Sequence, residues 1–276
     1  ITDLDSLIFL GAANWVTSGN YGQNQVSNMM GLGALSGVML LILIPRAAGA
    51  RALILILTFA MLAQGLLTFS RGGIYSFVLG LAAFTFHVVN SPRARRRLLA
   101  LFVLFGGILI IFVYPFLDDF TGGSLTERFS DLDTTGRLGA ATTDMQVFSE
   151  NPILGVGVGR SIEFHDTING ISLAAHTEYT RLLAEHGLFG LLAIVVLILM
   201  LVQRYEANRP GVSRGLTAAL AVWAMSIMAH SALRLAVIPL ALALALVYWR
   251  LQAGTGPRAV EPVVDAASDT NPTSAG

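Results

Sequence analysis

Long apolar stretches alternate with short, Arg-bearing connections along most of this chain, and one long polar stretch interrupts them. About 20 apolar residues cross the hydrocarbon core of a bilayer as a helix. Seven runs approach that length, at 26–44, 50–69, 73–89, 98–117, 187–202, 215–233 and 236–249. None carries Asp, Glu or Arg at its middle, where insertion of such a residue costs roughly 2.5–3.5 kcal/mol. The runs are apolar all round rather than along one stripe, as lipid-exposed helices of a bundle are. Gly31, Gly33, Gly37, Gly106 and Gly107 permit close helix packing. The pattern predicts an all-α, polytopic transmembrane helix bundle of about seven spans.

The polar interruption, 118–186, is far longer than an ordinary connection. Within it, Leu138, Ala141, Met145 and Phe148 recur at helical spacing, predicting a helix over 137–149 that Asn151-Pro152 stops. A Gly-rich turn at 152–159 follows, then a second helix over 173–186 with Gly187 as its stop. Both are amphipathic enough to lie on the outside of the bundle. The expected order is an extracytoplasmic segment (1–25), four spans (26–117), the large loop (118–186), three spans (187–250) and a disordered cytoplasmic tail (251–276), rich in Pro, Ser, Thr and Asp. The start at Ile1, inside a polar Gly/Asn-rich stretch, leads us to expect a fragment whose earlier spans are missing.

Charge sets the orientation. The net charge is zero and only 12% of residues are charged, yet the signs are segregated. Arg46 and Arg51, Arg93 to Arg97, and Arg204, Arg209 and Arg214 fall in connections that alternation places on one side. The positive-inside rule makes that side cytoplasmic. The long loop, acid-rich from Asp118 to Glu185, then lies outside. There is no Cys, so disulfides and thiolate metal sites are excluded.

A few residues stand out chemically. Arg71 breaks the positive-inside pattern at the outer end of the second run, between Ser70 and Gly72-Gly73. It reads either as a snorkelling interfacial Arg or as an anion contact beside exposed backbone N–H groups. Arg137 opens the first loop helix and, taken alone, is an ordinary solvated Arg. His176 opens the second. A neutral imidazole, with pKa near ~6.5, suits removal of a hydroxyl proton at neutral pH, and His165, His186 and His230 compete for that role on chemistry alone. His230 and Arg234, four apart at the outer end of the sixth run, are secondary candidates for the same cavity. The Gly155-x-Gly157-x-Gly159 run is neither a dinucleotide fingerprint nor a P-loop, because Arg160 stands where the former needs Gly and no G-K-[ST] follows. It reads as a tight turn. Scattered His and acids without H-x-x-x-H spacing argue against a metal site.

Taken in order, Ser70-Arg71-Gly72-Gly73, Thr135-Gly136-Arg137, Glu150-Asn151-Pro152-Ile153-Leu154-Gly155-Val156-Gly157, Ala175-His176-Thr177-Glu178-Tyr179 and Ala184-Glu185-His186-Gly187-Leu188-Phe189-Gly190 resemble the O-antigen ligase/polymerase family. The resemblance covers roughly 60–200. It departs from the family pattern at Thr177, where Asn is usual. It implies a membrane glycosyltransferase on the outer face of the bacterial cytoplasmic membrane. The donor would be a glycan on undecaprenyl pyrophosphate, and the acceptor a hydroxyl of lipid A core or another glycan. Neither metal nor nucleotide cofactor is implied, and no nucleic-acid partner. Carried over by motif, Arg71 and Arg137 would hold the pyrophosphate and His176 would be the catalytic base. A repeat-unit polymerase of the same family is the nearest alternative. A secondary transporter or flippase is the rival of another class, and it would call for internal repeats and midplane ionisable residues, which this chain lacks. A non-catalytic anchor presenting a binding loop is a further rival.

Overall fold

The computed structural model describes residues 17–43, 48–89, 92–130, 137–169, 177–230 and 235–249. Every regular element among them is helical. The first half contains α1 (Gln23–Leu43), α2 (Ala48–Leu67), α3 (Arg71–Val88) and α4 (Pro92–Ile108). A π-helical turn (Leu109–Val113) joins α4 without a break to α5 (Tyr114–Phe120). Pro115 accounts for that turn: it has no N–H to donate and its ring would meet the carbonyl one turn back, and a widened turn relieves both. The short α6 (Ser124–Ser130) follows. Then come α7 (Arg137–Glu150), α8 (Ser161–Asn169), α9 (Glu178–His186), α10 (Leu188–Ala207), α11 (Val212–Met228) and α12 (Val237–Ala245).

Among the described residues, four helical stretches are long and apolar enough to cross a membrane: Gln23–Leu43, Ala48–Leu67, Arg95–Phe120 and Leu188–Ala207. The sixth and seventh runs form shorter helices than their apolar length suggests, 17 residues in α11 and nine in α12. Alike in sequence, the helices differ in place. α11 sits inside, with Trp223, Ala219, Ile227 and Met228 fully buried against Leu35 of α1, Phe84 of α3 and Ile238 of α12. α2 and α10 present mostly exposed apolar surface. α1 and α3 approach backbone to backbone: a methyl on Gly31 would overlap the Gly73 carbonyl, and one on Gly73 would overlap Ser27. Small residues allow that approach where burial from water offers no drive between helices.

The helix ends meet in two layers. At one, Ser27 Oγ of α1 donates to Ser70 O before α3 (2.7 Å), and Phe69 packs with Leu117 and Leu125. At the other, Asn208 after α10 donates to Thr217 Oγ1 (2.8 Å) and accepts from the Trp249 amide beyond α12 (3.0 Å).

The polar stretch is more ordered than its composition suggests, since α6 and α8 were both unanticipated. The expected inner face of α7 is also rotated. Its buried residues are Ala140, Thr143, Asp144 and Val147, while Met145 is exposed. Asp144 turns inward because it finds hydrogen-bond partners there.

Candidate functional site

The turn between α2 and α3 reverses the chain in three residues and delivers Arg71 to the start of α3. It is sharp because Phe69 adopts a left-handed backbone (φ 56°). For a non-Gly residue that costs roughly 1–2 kcal/mol. Full burial of the Phe69 ring beside Leu66, Leu117 and Leu125 contributes about 1.5–3 kcal/mol, enough to hold the turn. Ser70 does not cap α3 with its side chain; its Oγ donates instead to Asn24 Oδ1 of α1 (2.7 Å). Arg71 is half-buried.

The imidazole of His230, just past α11, lies directly over Gly72, where a methyl group would overlap the ring. The structure therefore brings His230 to the turn that carries Arg71. Arg234 and His176 lie outside the described residues. Arg137 opens α7 as expected, with its side chain outside the described set.

Thr177, the residue after His176, is the N-cap of α9: its Oγ1 accepts from the Thr180 amide (3.3 Å). Asn and Thr both serve as N-caps, which explains how Thr stands where the family pattern has Asn. Two bonds fix this end of α9. Tyr179 Oη donates to Met225 O of α11 (2.9 Å), one to two turns before His230. Burial pushes the Tyr179 phenol above its ordinary pKa, keeping it a neutral donor. Thr180 Oγ1 donates to Asp144 Oδ2 of α7 (2.8 Å). The start of α9 is thus tied both to the C-terminal end of α11 and to the helix that Arg137 opens.

His165 corrects the sequence reading. The sequence places it in the polar stretch between the two expected loop helices; it is instead fully buried on α8, with Nε2 2.8 Å from Asp144 Oδ1. Its Nδ1 meets no hydrogen-bond partner among the described residues. Removing one member of a buried polar pair leaves the other unsatisfied, so His165→Ala should destabilise the fold by about 3 kcal/mol. Thermal unfolding in detergent checks this. An unchanged melting temperature would show that the pair contributes nothing.

The acids of the two motif segments also find partners. Arg181 forks between Glu178, bonded to both its Nε (3.1 Å) and an Nη, and Glu185, whose Oε2 accepts from Nη1 (2.7 Å). Ser161 Oγ of α8 adds a bond to Glu185 Oε1 (3.1 Å). The hydrogen bond Arg181 donates to Glu178 raises the Arg181 pKa over the opposing effect of burial, and the charges of Glu178, Glu185 and Asp144 add to it. Glu178 and Glu185 are buried as partners of a cation, a structural role. Their spacing around Arg181, three and four residues, was a readable signal. The partners of Asp144 stand 21 and 36 residues away along the chain, and nothing local announces them.

The glycine run closes the far end of α9. Val156 N donates to Ala184 O (3.0 Å) and Gly157 N to Glu185 O (3.0 Å), satisfying carbonyls that a helix C-terminus leaves open. Gly155 has φ 66° and presses against the Glu185–His186 backbone, where no side chain fits. This is a helix staple: the run closes the C-terminus of α9.

No curated protein matches the chain. The family model described as O-antigen ligase matches residues 54–195, slightly more than half of the chain. The match runs from α2 into α10 and takes in the Arg71 turn, α7, the glycine staple and α9. With apolar helices long enough to span a bilayer and this match over its central half, the chain is a bacterial membrane protein that belongs to the O-antigen ligase family.

Proposed function

We propose that the protein transfers a glycan from undecaprenyl pyrophosphate to an acceptor hydroxyl at the outer face of the cytoplasmic membrane, as an inverting, metal-independent ligase. The observation that carries this reading is the convergence at one end of the bundle. His230 lies on Gly72 beside Arg71, and Tyr179 fastens the start of α9 to the same end of α11. In the reaction, His176 takes the acceptor proton as the hydroxyl oxygen attacks the anomeric carbon. The bond from that carbon to the phosphate oxygen breaks, and undecaprenyl pyrophosphate leaves with the electron pair. Arg71 and Arg137 stabilise the charge that develops there, since a guanidinium meets phosphate oxygens two at a time and stays charged. The N-terminus of α3, which Ser70 does not cap, adds the positive end of a helix dipole. His230 and Arg234 are secondary contacts in the same cavity.

The topology belongs to the same proposal: seven crossings, with 118–186 outside and the tail inside. The two layers of helix-end contacts support it, because they pair the ends that alternation puts together. The absence of native Cys makes a labelling test clean. Gln146→Cys, exposed on α7, should react with an impermeant thiol reagent on intact cells. Arg209→Cys, exposed between α10 and α11, should react only after permeabilisation. The reverse pattern would invert the topology and end the mechanism.

Purified full-length protein given a lipid-linked glycan with separate candidate acceptors tests the activity. A single transfer product supports a ligase. A ladder of lengths would make it a polymerase, and no product with any acceptor would overturn both.

A further inference from the structure

We infer that the turn between α7 and α8 is a membrane-seated wedge, with its apolar tips in the outer-leaflet lipid beside the start of α10. Ile153, Leu154 and Val158 are 64%, 71% and 75% exposed to solvent. A water-facing turn is ordinarily built from Gly, Pro, Asn, Asp and Ser, and this one offers large aliphatic side chains instead. Their place supplies the reason. Leu188 N donates to Pro152 O (2.8 Å), and Gly187 is packed against Ile153. The turn therefore adjoins the first residues of α10, where Leu188, Phe189 and Leu192 are also exposed. α10 is long and apolar enough to cross a membrane and is largely unburied by protein, so its outer face is a lipid face. Ile153, Leu154 and Val158 continue that face past the end of the helix.

Part of the turn's backbone is equipped for this setting. Irregular chain is excluded from lipid when its N–H and C=O groups lack partners. Here Pro152 has no N–H. The amides of Gly155, Val156 and Gly157 donate to Asn151 O, Ala184 O and Glu185 O, each at 3.0 Å, and Pro152 O accepts from Leu188. The charged pair Arg160–Glu163 (3.3 Å), exposed on both sides, marks where the chain returns to headgroups and water; a long Arg stem suits such a boundary. The wedge ends at the staple over α9, so it sets the height of α9 above the bilayer.

The test uses this chain, which carries no Cys, in phosphatidylethanolamine/phosphatidylglycerol vesicles. Single Cys at Ile153, Leu154 and Val158 carry an environment-sensitive fluorophore, with Glu163→Cys as the aqueous reference. Iodide is present on both faces of the vesicles, and spin-labelled lipid in both leaflets. The three turn positions should be quenched by spin-labelled lipid and shielded from iodide, with Glu163→Cys the reverse. Iodide quenching at the turn would overturn the wedge. Shielding from both quenchers would overturn it too, because protein, not lipid, would then cover the patch. The outcome is independent of glycan transfer, since no activity is read.

Discussion

His176→Ala should lose roughly 10²–10⁴-fold in turnover, the usual contribution of a positioned general base, while the protein still binds the lipid-linked donor. Binding should survive because, on the proposed mechanism, the arginines and not the imidazole meet the phosphates. The rate of the unaltered enzyme should fall below about pH 6, because an imidazole that is already protonated cannot accept the acceptor's proton. The competing view is that His176 only helps to start α9. Thr177 already caps that helix, and Tyr179 and Thr180 already anchor it, so a purely structural His176 is left with little to do. His176→Gln separates the two, since Gln matches it in size and hydrogen-bonding but is not basic. A folded, inserted Gln variant with near-normal turnover would remove His176 from the mechanism.

Arg71→Ala should lose about 10²–10³-fold in turnover, the scale seen when one preorganised donor to a developing oxyanion is removed, and Arg137→Ala should do the same. Membrane insertion should be unaffected in both. Lys at either position should restore only part of the rate, because a point charge does not reproduce the two-pronged contact of guanidinium with phosphate. Full rescue by Lys at both sites would refute the clamp geometry. EDTA should leave the rate unchanged. Strong inhibition reversed by a divalent ion would put a metal where the arginines are proposed to act. His230 offers an internal control on geometry: Gly72→Ala displaces its ring without touching Arg71's charge, and should lower activity less than Arg71→Ala does.

Much of the site was legible because its parts are short and local. The Ser70-Arg71-Gly72-Gly73 turn, the start of α7 at Arg137, the glycine run and the Gly187 stop are each written in a few neighbouring residues. The burial of α9's charged residues was not legible, although their spacing was visible. Pattern reading puts charge outward, but Arg181 pairs with both Glu178 and Glu185, which lets the two acids be buried. His165 was misjudged for a related reason. A polar residue in a polar stretch looks solvated until a partner from another helix takes it out of water.

The sequence by itself determined that this chain lives in a membrane, is helical, keeps most of its arginines and its acids in separate connections and carries the family's motifs in order. Those properties follow from transfer free energies and turn chemistry summed over windows of a few to about 20 residues. Only the tertiary structure decided that α11 is central while the apolar α10 leaves most of its surface exposed, and that α8 carries a buried His165 bonded to Asp144. It also decided that His230 closes onto Gly72. Each of these is a pairing between segments far apart in the chain, set by which surfaces fit once the helices have formed. Residue-by-residue hydrophobicity is blind to such fits because an apolar side chain satisfies lipid and protein neighbours almost equally well.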